Sequence, residues 1–162
     1  MFRLGVVSDS HLSEWWLERY IELANRQRYD AVFHLGDGEG QTRQMKKKLS
    51  MPLYAVAGNC DSFMKLPGER VETFGGVRVL ATHGHRYDVK WTLTPLSYHA
   101  EELGAKVALY GHTHIPDAEY LGGVLMLNPG ALMRGLYAEL VIDGDRVTPY
   151  LKSLDELTLI SN

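Results

Sequence analysis

Apolar runs that stop abruptly at polar clusters alternate with amphipathic stretches through the first third of the chain. "FRLGVVS" (2–8) is apolar and β-branched and predicts a buried strand. In 13–27 Trp16, Leu17, Ile21 and Ala24 fall at helical spacing, with Ser13 placed as N-cap. "AVFHL" (31–35) predicts a second strand, 40–49 a helix ending before Pro52, and "LYAVA" (53–57) a third strand. The order β-α-β-α-β implies parallel strands joined by right-handed crossovers.

Beyond residue 60 the pattern changes. "ERVETF" and "VRVLATH" flank Gly75-Gly76, a two-residue hairpin turn. Residues 94–104 predict a helix with Thr94 as cap, Pro95 in its first turn and Gly104 as stop. A strand at 106–110 follows, then hairpins over 118–127 around Gly122-Gly123 and over 136–151 around Asp143-Gly144. Two packed sheets with helices outside accommodate both halves, an α/β fold class.

Composition narrows the functional classes. The 162 residues suit a single domain spanning 1–162, with 45% hydrophobic and 23% charged residues in the ordinary globular range. A net charge of −3 argues against a protein that grips many nucleic-acid phosphates. Lys46-Lys47-Lys48 is the one basic cluster and sits in a helical pattern, where a solvated face explains it. The single cysteine, Cys60, excludes an intrachain disulfide. No apolar stretch approaches the ~20 residues of a membrane helix, and the N-terminal apolar run is too short for a signal peptide. The chain reads as cytoplasmic, without membrane association.

Chemistry concentrates where the strands stop. The first strand ends at Asp9 and His11, the second at Gly36-Asp37, and the third at Gly58-Asn59-Cys60-Asp61. The strand over 77–82 ends at His83 and His85, and that over 106–110 at His112 and His114. Ligands of open α/β sheets bind outside the carboxyl ends of strands, so these ends can converge. Asp9, His11, Asp37, Asn59, His83, His112 and His114 exceed what one catalytic ion takes from protein. Two divalent ions sharing a bridging carboxylate would use all seven. The mixed carboxylate, carboxamide and imidazole set suits Mn²⁺ first, with Ni²⁺, Zn²⁺ or Fe²⁺ as alternatives.

The ordered set "SDSH…GD…GNCD…THGH…GHTH" resembles the calcineurin-like metallophosphoesterase superfamily. The short chain, "GNCD" and the "NPGA" loop at 128–131 are similar to its small single-domain phosphodiesterase branch, which also holds the retromer subunit Vps29. The resemblance implies a four-layer α/β/β/α sandwich of two mixed sheets. It implies that Asp9, His11 and His114 hold one ion, that Asn59, His83 and His112 hold the other, and that Asp37 bridges. His85 would sit near the substrate phosphate, so Asp37, Asn59 and His85 are the expected catalytic residues. The implied reaction is hydrolysis of a small phosphate ester, a diester in this branch, by hydroxide activated at the dinuclear centre. Ligand histidines must be neutral to bind, so activity should fall in acid.

Two positions depart from larger relatives. Cys60 stands where they carry a proton-donating histidine, and a thiol of pKa ~8.5 is a poor donor to an alkoxide. Ala131 stands where the loop often carries serine; Asn128 is expected to shape that loop or to reach the metals through water. The alternative function is a non-catalytic metal-binding interaction scaffold, as in the Vps29 branch. Other candidates have plain structural readings. His34 is expected to be a buried, hydrogen-bonded core residue and His99 an exposed helix residue. "GDGEG" (36–40) fits no nucleotide-loop pattern. Trp15, Trp16 and Trp91 are packing or subunit-contact residues, compatible with a homo-oligomer.

Overall fold

Alternation along the first strand sets the layering. In β1 (Phe2–Val7) the side chains of Leu4 and Val6 enter one apolar cluster and Val7 enters another, as a strand covered on both faces requires. The computed structural model describes residues 1–62 and 65–155. Its elements continue as α1 (Glu14–Gln27), β2 (Ala31–His34), α2 (Gln41–Lys48), β3 (Leu53–Ala55), β4 (Glu69–Phe74) and β5 (Val77–Thr82). After a 3-10 turn at His85–Tyr87 come α3 (Thr94–Glu102), β6 (Val107–Leu109), β7 (Asp117–Leu121) and β8 (Val124–Asn128). A second such turn at Leu132–Arg134 precedes β9 (Leu136–Asp143) and β10 (Arg146–Ser153).

The strands form two five-stranded mixed sheets, ordered β10-β9-β1-β2-β3 and β4-β5-β6-β8-β7. Strands β1, β2 and β3 run parallel, with the β9–β10 hairpin added antiparallel to β1. In the second sheet β5, β6 and β8 run parallel, flanked by antiparallel β4 and β7. The hairpins expected after residue 60 are present, but they do not by themselves make the second sheet. Strands β5 and β6 are joined through α3 as a parallel crossover, and the last hairpin returns to the first sheet. The reason lies in β1, whose faces are both apolar: its free edge is covered by β9, whose Ala138, Leu140 and Ile142 complete the same inter-sheet cluster.

That cluster brings Leu4, Val6 and Phe33 of the first sheet against Val79, Leu109 and Leu127 of the second. On the outer face of the first sheet, Leu17, Tyr20, Ile21 and Ala24 of α1 and Met45 of α2 cover Val7 and Val32. On the outer face of the second, Leu96 and Ala100 of α3 cover Leu80, Ala108 and Met126. The result is the α/β/β/α sandwich. Each such large side chain, fully buried, contributes about 1.5–3 kcal/mol before conformational entropy is set against it.

Helix ends depart from the sequence reading in detail. Ser13 holds the N-cap position of α1, but its side chain makes no capping bond; its N–H donates instead to Ser10 O (2.9 Å). Thr94 is the first residue of α3 rather than its cap, which falls to Leu93. Gly104 does stop α3: at φ +67° it lets the Ala105 N–H reach Ala100 O at 2.9 Å. The α2 lysines are exposed, with Lys48 paired to Glu18 at 2.7 Å. Among the described residues no helix is long and apolar enough to cross a membrane.

His34, at the end of β2, is fully buried. Its Nδ1 accepts the Gly36 N–H (3.1 Å), which leaves the ring proton on Nε2 for donation to Ser10 Oγ (3.0 Å). Both nitrogens are thus used in neutral form, and burial lowers its pKa to about 4 against the attraction of Asp61 and Asp9.

A methyl group on Gly5 would strike the Tyr20 hydroxyl and lie 2.8 Å from the Tyr29 ring, so Gly5→Ala should cost about 1–3 kcal/mol in urea unfolding. His34 acts through pH. Below the ordinary pKa of 6.5 the unfolded chain takes up a proton that the folded chain refuses until about 4, so its contribution falls as pH falls through that window. Between pH 7.5 and 5 the metal-free protein should lose about 2 kcal/mol more stability than His34→Asn does, measured by urea unfolding in chelator.

Candidate metal centre

Parallel pairing aligns the carboxyl ends of β1, β2 and β3 in one sheet and of β5 and β6 in the other. The loops leaving those ends are tied to each other through backbone: Asp9 N–H to Gly36 O (2.9 Å), His11 N–H to Asp37 O (3.0 Å), Gly111 N–H to His83 O (2.9 Å) and Leu132 N–H to Ser8 O (2.8 Å). Asp9, His11, Asp37, His112 and His114 all have positive φ, between 43° and 70°. Left-handed backbone at non-glycine residues costs about 1–3 kcal/mol each and persists only where surrounding structure enforces it. Here it turns each side chain back over the strand ends. Two glycines make the close approach possible: a Cβ on Gly58 would collide with Asp37, and one on Gly111 with Ser8 and Asp9.

Two clusters result. Potential ligand atoms of Asp9, His11 and His114 lie within 4.8 Å of one another, and so do those of Asp37, His83 and His112. A third grouping, His11, Asp37 and Cys60, meets the same criterion and links the two. Asp9 Oδ1 has His114 Nε2 at 3.2 Å, His11 Nε2 at 3.5 Å and His83 Nε2 at 3.8 Å. Asp37 Oδ2 has His83 Nε2 at 3.2 Å and His11 Nε2 at 3.7 Å. His112 Nδ1 lies 3.2 Å from His83 Nε2.

The surrounding hydrogen bonds decide which atoms face inward. His83 Nδ1–H donates to Leu35 O at 2.7 Å and His11 Nδ1–H to Glu39 Oε1 at 2.9 Å, so in each neutral ring Nε2 carries the inward lone pair. Asp9 Oδ2 accepts the Ser8 hydroxyl (2.6 Å) and the His112 N–H (3.0 Å), which reserves Oδ1. Asp61 accepts the N–H groups of Asp37 (2.7 Å), Glu39 (2.7 Å) and Gly58 (2.9 Å), clamping two loops with one carboxylate. Asn128 is fully buried, donates to Gly111 O (3.2 Å) and Thr113 Oγ1 (2.9 Å), and accepts from Gly130 N–H (2.9 Å). Its bond from Gly130 shapes its own loop, one of the two roles expected of it, and its bonds to Gly111 and Thr113 also tie down the loop that carries His112 and His114.

Charge is concentrated and only partly compensated. Burial pushes the Asp37 carboxyl up, but its bond to His83, the charge of that ring and the Cys60 N–H (2.8 Å) hold it well below the usual carboxylate range. Burial disfavours the charged His83 ring, yet Asp37 and Asp9 raise its pKa overall. Burial and the charge of His83 lower both His85 and His112. Asp9 Oδ1 and His11 Nε2 are buried and make no hydrogen bond. Such atoms cost about 1–3 kcal/mol each when left unmet. Two orphaned ligand atoms aimed into one space, among carboxylates and imidazoles, fit divalent cations.

The remaining expected site residues are placed differently. His85 opens the turn after β5, with its ring 5.3 Å from His83 and 6.1 Å from His112 and its Nδ1 buried without a partner. Asn59 is exposed on the loop after β3, and its Nδ2 lies 3.7 Å from Cys60 Sγ. Burial and the neighbouring Asp37 raise the Cys60 thiol pKa, which keeps it protonated. His99 is not merely a surface residue. It hydrogen-bonds Glu69 Oε2 at 2.8 Å and stacks on Tyr87 at 5.3 Å, while the Tyr87 hydroxyl donates to Glu69 Oε1 at 2.6 Å. A shared carboxylate on β4 thereby anchors the turn that carries His85. Glu39 and the clamping role of Asp61 escaped the sequence reading. "GDGEG" placed Glu39 two residues from Asp37, but only the left-handed turn brings it under His11.

The chain is similar to several known proteins. The chain is 38% identical over 149 residues to a probable metallophosphoesterase, YsnB, of Bacillus subtilis, covering 88% of this chain and 86% of that one. It is 27% identical over 155 residues to the phosphodiesterase YfcE of Escherichia coli K12, covering 82% and 80%. A crystal structure of a predicted phosphoesterase from Streptococcus pneumoniae superposes with a TM-score of 0.82 at 32% identity, covering 95% of this chain and 90% of the other. The family model for the calcineurin-like phosphoesterase superfamily domain matches residues 2–141, the span that contains both clusters, and the chain belongs to that superfamily.

Proposed function

We propose that the protein is a metal-dependent phosphodiesterase acting on small phosphate esters. One observation carries the reading: two His/Asp clusters meet at Asp37 and leave Asp9 Oδ1 and His11 Nε2 buried without a hydrogen bond. In this reading Asp9, His11 and His114 hold one divalent cation, His83, His112 and Asn59 hold a second, and Asp37 serves both. Asn59 would join from the exposed loop after β3. Manganese is the preferred ion. The bound pair would supply acidified water and neutralise charge on the phosphoryl oxygens.

The protein's own groups do the rest. Glu39 and the Leu35 carbonyl orient His11 and His83 so that Nε2 faces the ions. Burial and the charge of His83 lower the His85 pKa, so its ring would donate an N–H hydrogen bond to a phosphoryl oxygen, and the departing alkoxide would take its proton from water. Cys60 stays a thiol and takes no nucleophilic part. The preference for diesters is supported by the likeness to the phosphodiesterase YfcE of Escherichia coli.

Chelator-stripped protein should not hydrolyse bis(p-nitrophenyl) phosphate, and Mn²⁺ should restore turnover more strongly than Mg²⁺. Asp37→Ala or His112→Ala should lower kcat/KM by about a thousandfold or more, roughly 4 kcal/mol, with the fold retained by circular dichroism. Faster hydrolysis of the p-nitrophenyl monoester would contradict the diester preference. Two ions bound by calorimetry with no turnover under any metal would favour the interaction scaffold instead. Glu39→Ala should weaken Mn²⁺ affinity 10–100-fold by freeing the His11 ring, read by calorimetric titration.

A further inference from the structure

We propose that the groove beside His112 and His114 is the subsite for one ester arm of the substrate, and that it selects a flat apolar ring over a small alkyl group. This rests on the phosphoesterase reading above. The groove encloses about 490 Å³, the size of sites that take aryl or nucleoside groups. Val89, Leu93, Tyr110, Ile115 and Pro116 form its apolar walls.

Its position ties it to the metal centre. Thr113, part of the lining, separates His112 from His114 in the chain. At Gly84, between His83 and His85, a Cβ would stand 2.9 Å from Val89 Cγ2 and 3.5 Å from Tyr110 Cβ. The groove floor is therefore packed directly against both histidine loops. A phosphoryl group held between the clusters would present one of its ester arms to this opening.

The polar groups of the lining are disposed for that use. Thr113 Oγ1 is held by Asn128 Nδ2 (2.9 Å) and the Ile115 N–H (3.1 Å), and the Tyr110 hydroxyl donates to Asp117 Oδ2 at 3.3 Å. These groups are engaged with one another and leave the walls apolar. Lys90 is the one cation of the lining, and among the described residues it has no ion-pair partner. Its charge suits the anionic end of a phosphate ester whose ring the walls take. Ile115 is 66% exposed at the mouth. A ring spanning the groove covers Leu93, Ile115 and Pro116 together, whereas a methyl or ethyl group reaches only part of them.

The test uses binding without turnover. Phenylphosphonate and methylphosphonate are titrated calorimetrically into the manganese-loaded protein, into Ile115→Ser and into Leu93→Ser. The expected result is at least tenfold tighter binding of phenylphosphonate by the wild type, falling to about twofold or less in the variants. Ile115 is exposed, so its variant tests the groove even if Leu93→Ser fails to fold. Methylphosphonate binding without preference for the phenyl compound would overturn the groove assignment and leave the phosphoesterase reading standing. A preference unchanged in Ile115→Ser would overturn it as well. If neither phosphonate binds, the phosphoesterase reading falls and the subsite falls with it.

Discussion

Two buried carboxylates facing a ring of imidazoles are the constraint that the rest of the structure serves. Asp9 is fully buried and Asp37 nearly so, 0% and 3% exposed, and among the described residues no lysine or arginine forms an ion pair with either. Burying a carboxylate is costly unless charge or hydrogen bonds compensate it. Ser8, the Cys60 N–H and the His112 N–H supply part of that compensation. The rest is left to the histidines and to whatever cation they gather around. The sandwich is the scaffold that makes such an arrangement affordable: its apolar layers fix five strand ends at one edge and let strained loops stay where they are.

The layers of the fold were legible because apolar alternation and turn chemistry are local. β1, α1, β2 and the Gly75-Gly76 hairpin lie where their patterns put them. The return of β9 to β1 was not legible, because sheet membership is settled by which edge remains unpaired after the others fold. Of the helix caps, Ser13 lies where the pattern put it, though its hydroxyl makes no capping bond, whereas the start of α3 falls one residue earlier than Thr94 suggested.

At the site, the order of polar clusters after strands pointed to Asp9, His11, Asp37, His83, His112 and His114, which the structure gathers into two groups. What sequence could not convey is orientation. Glu39 reaches His11 only because Asp37 and Glu39 adopt left-handed backbone, and Asp61 ties Asp37, Glu39 and Gly58 through backbone N–H groups that carry no side-chain signature. His99 looked solvated because Glu69, its partner, is 30 residues away.

These orienting bonds explain why the clusters are held apart yet adjacent. Leu35 O fixes His83, Glu39 fixes His11, and Asn128 fixes the loop of His112 and His114. The claim at the centre of this account is that the inward atoms so defined surround two cations. Anomalous scattering from crystals grown with manganese tests it most directly. Two separate peaks are expected, one bounded by Asp9, His11 and His114 and the other by Asp37, His83 and His112. A site without anomalous density, or with density only at the molecular surface, would contradict it.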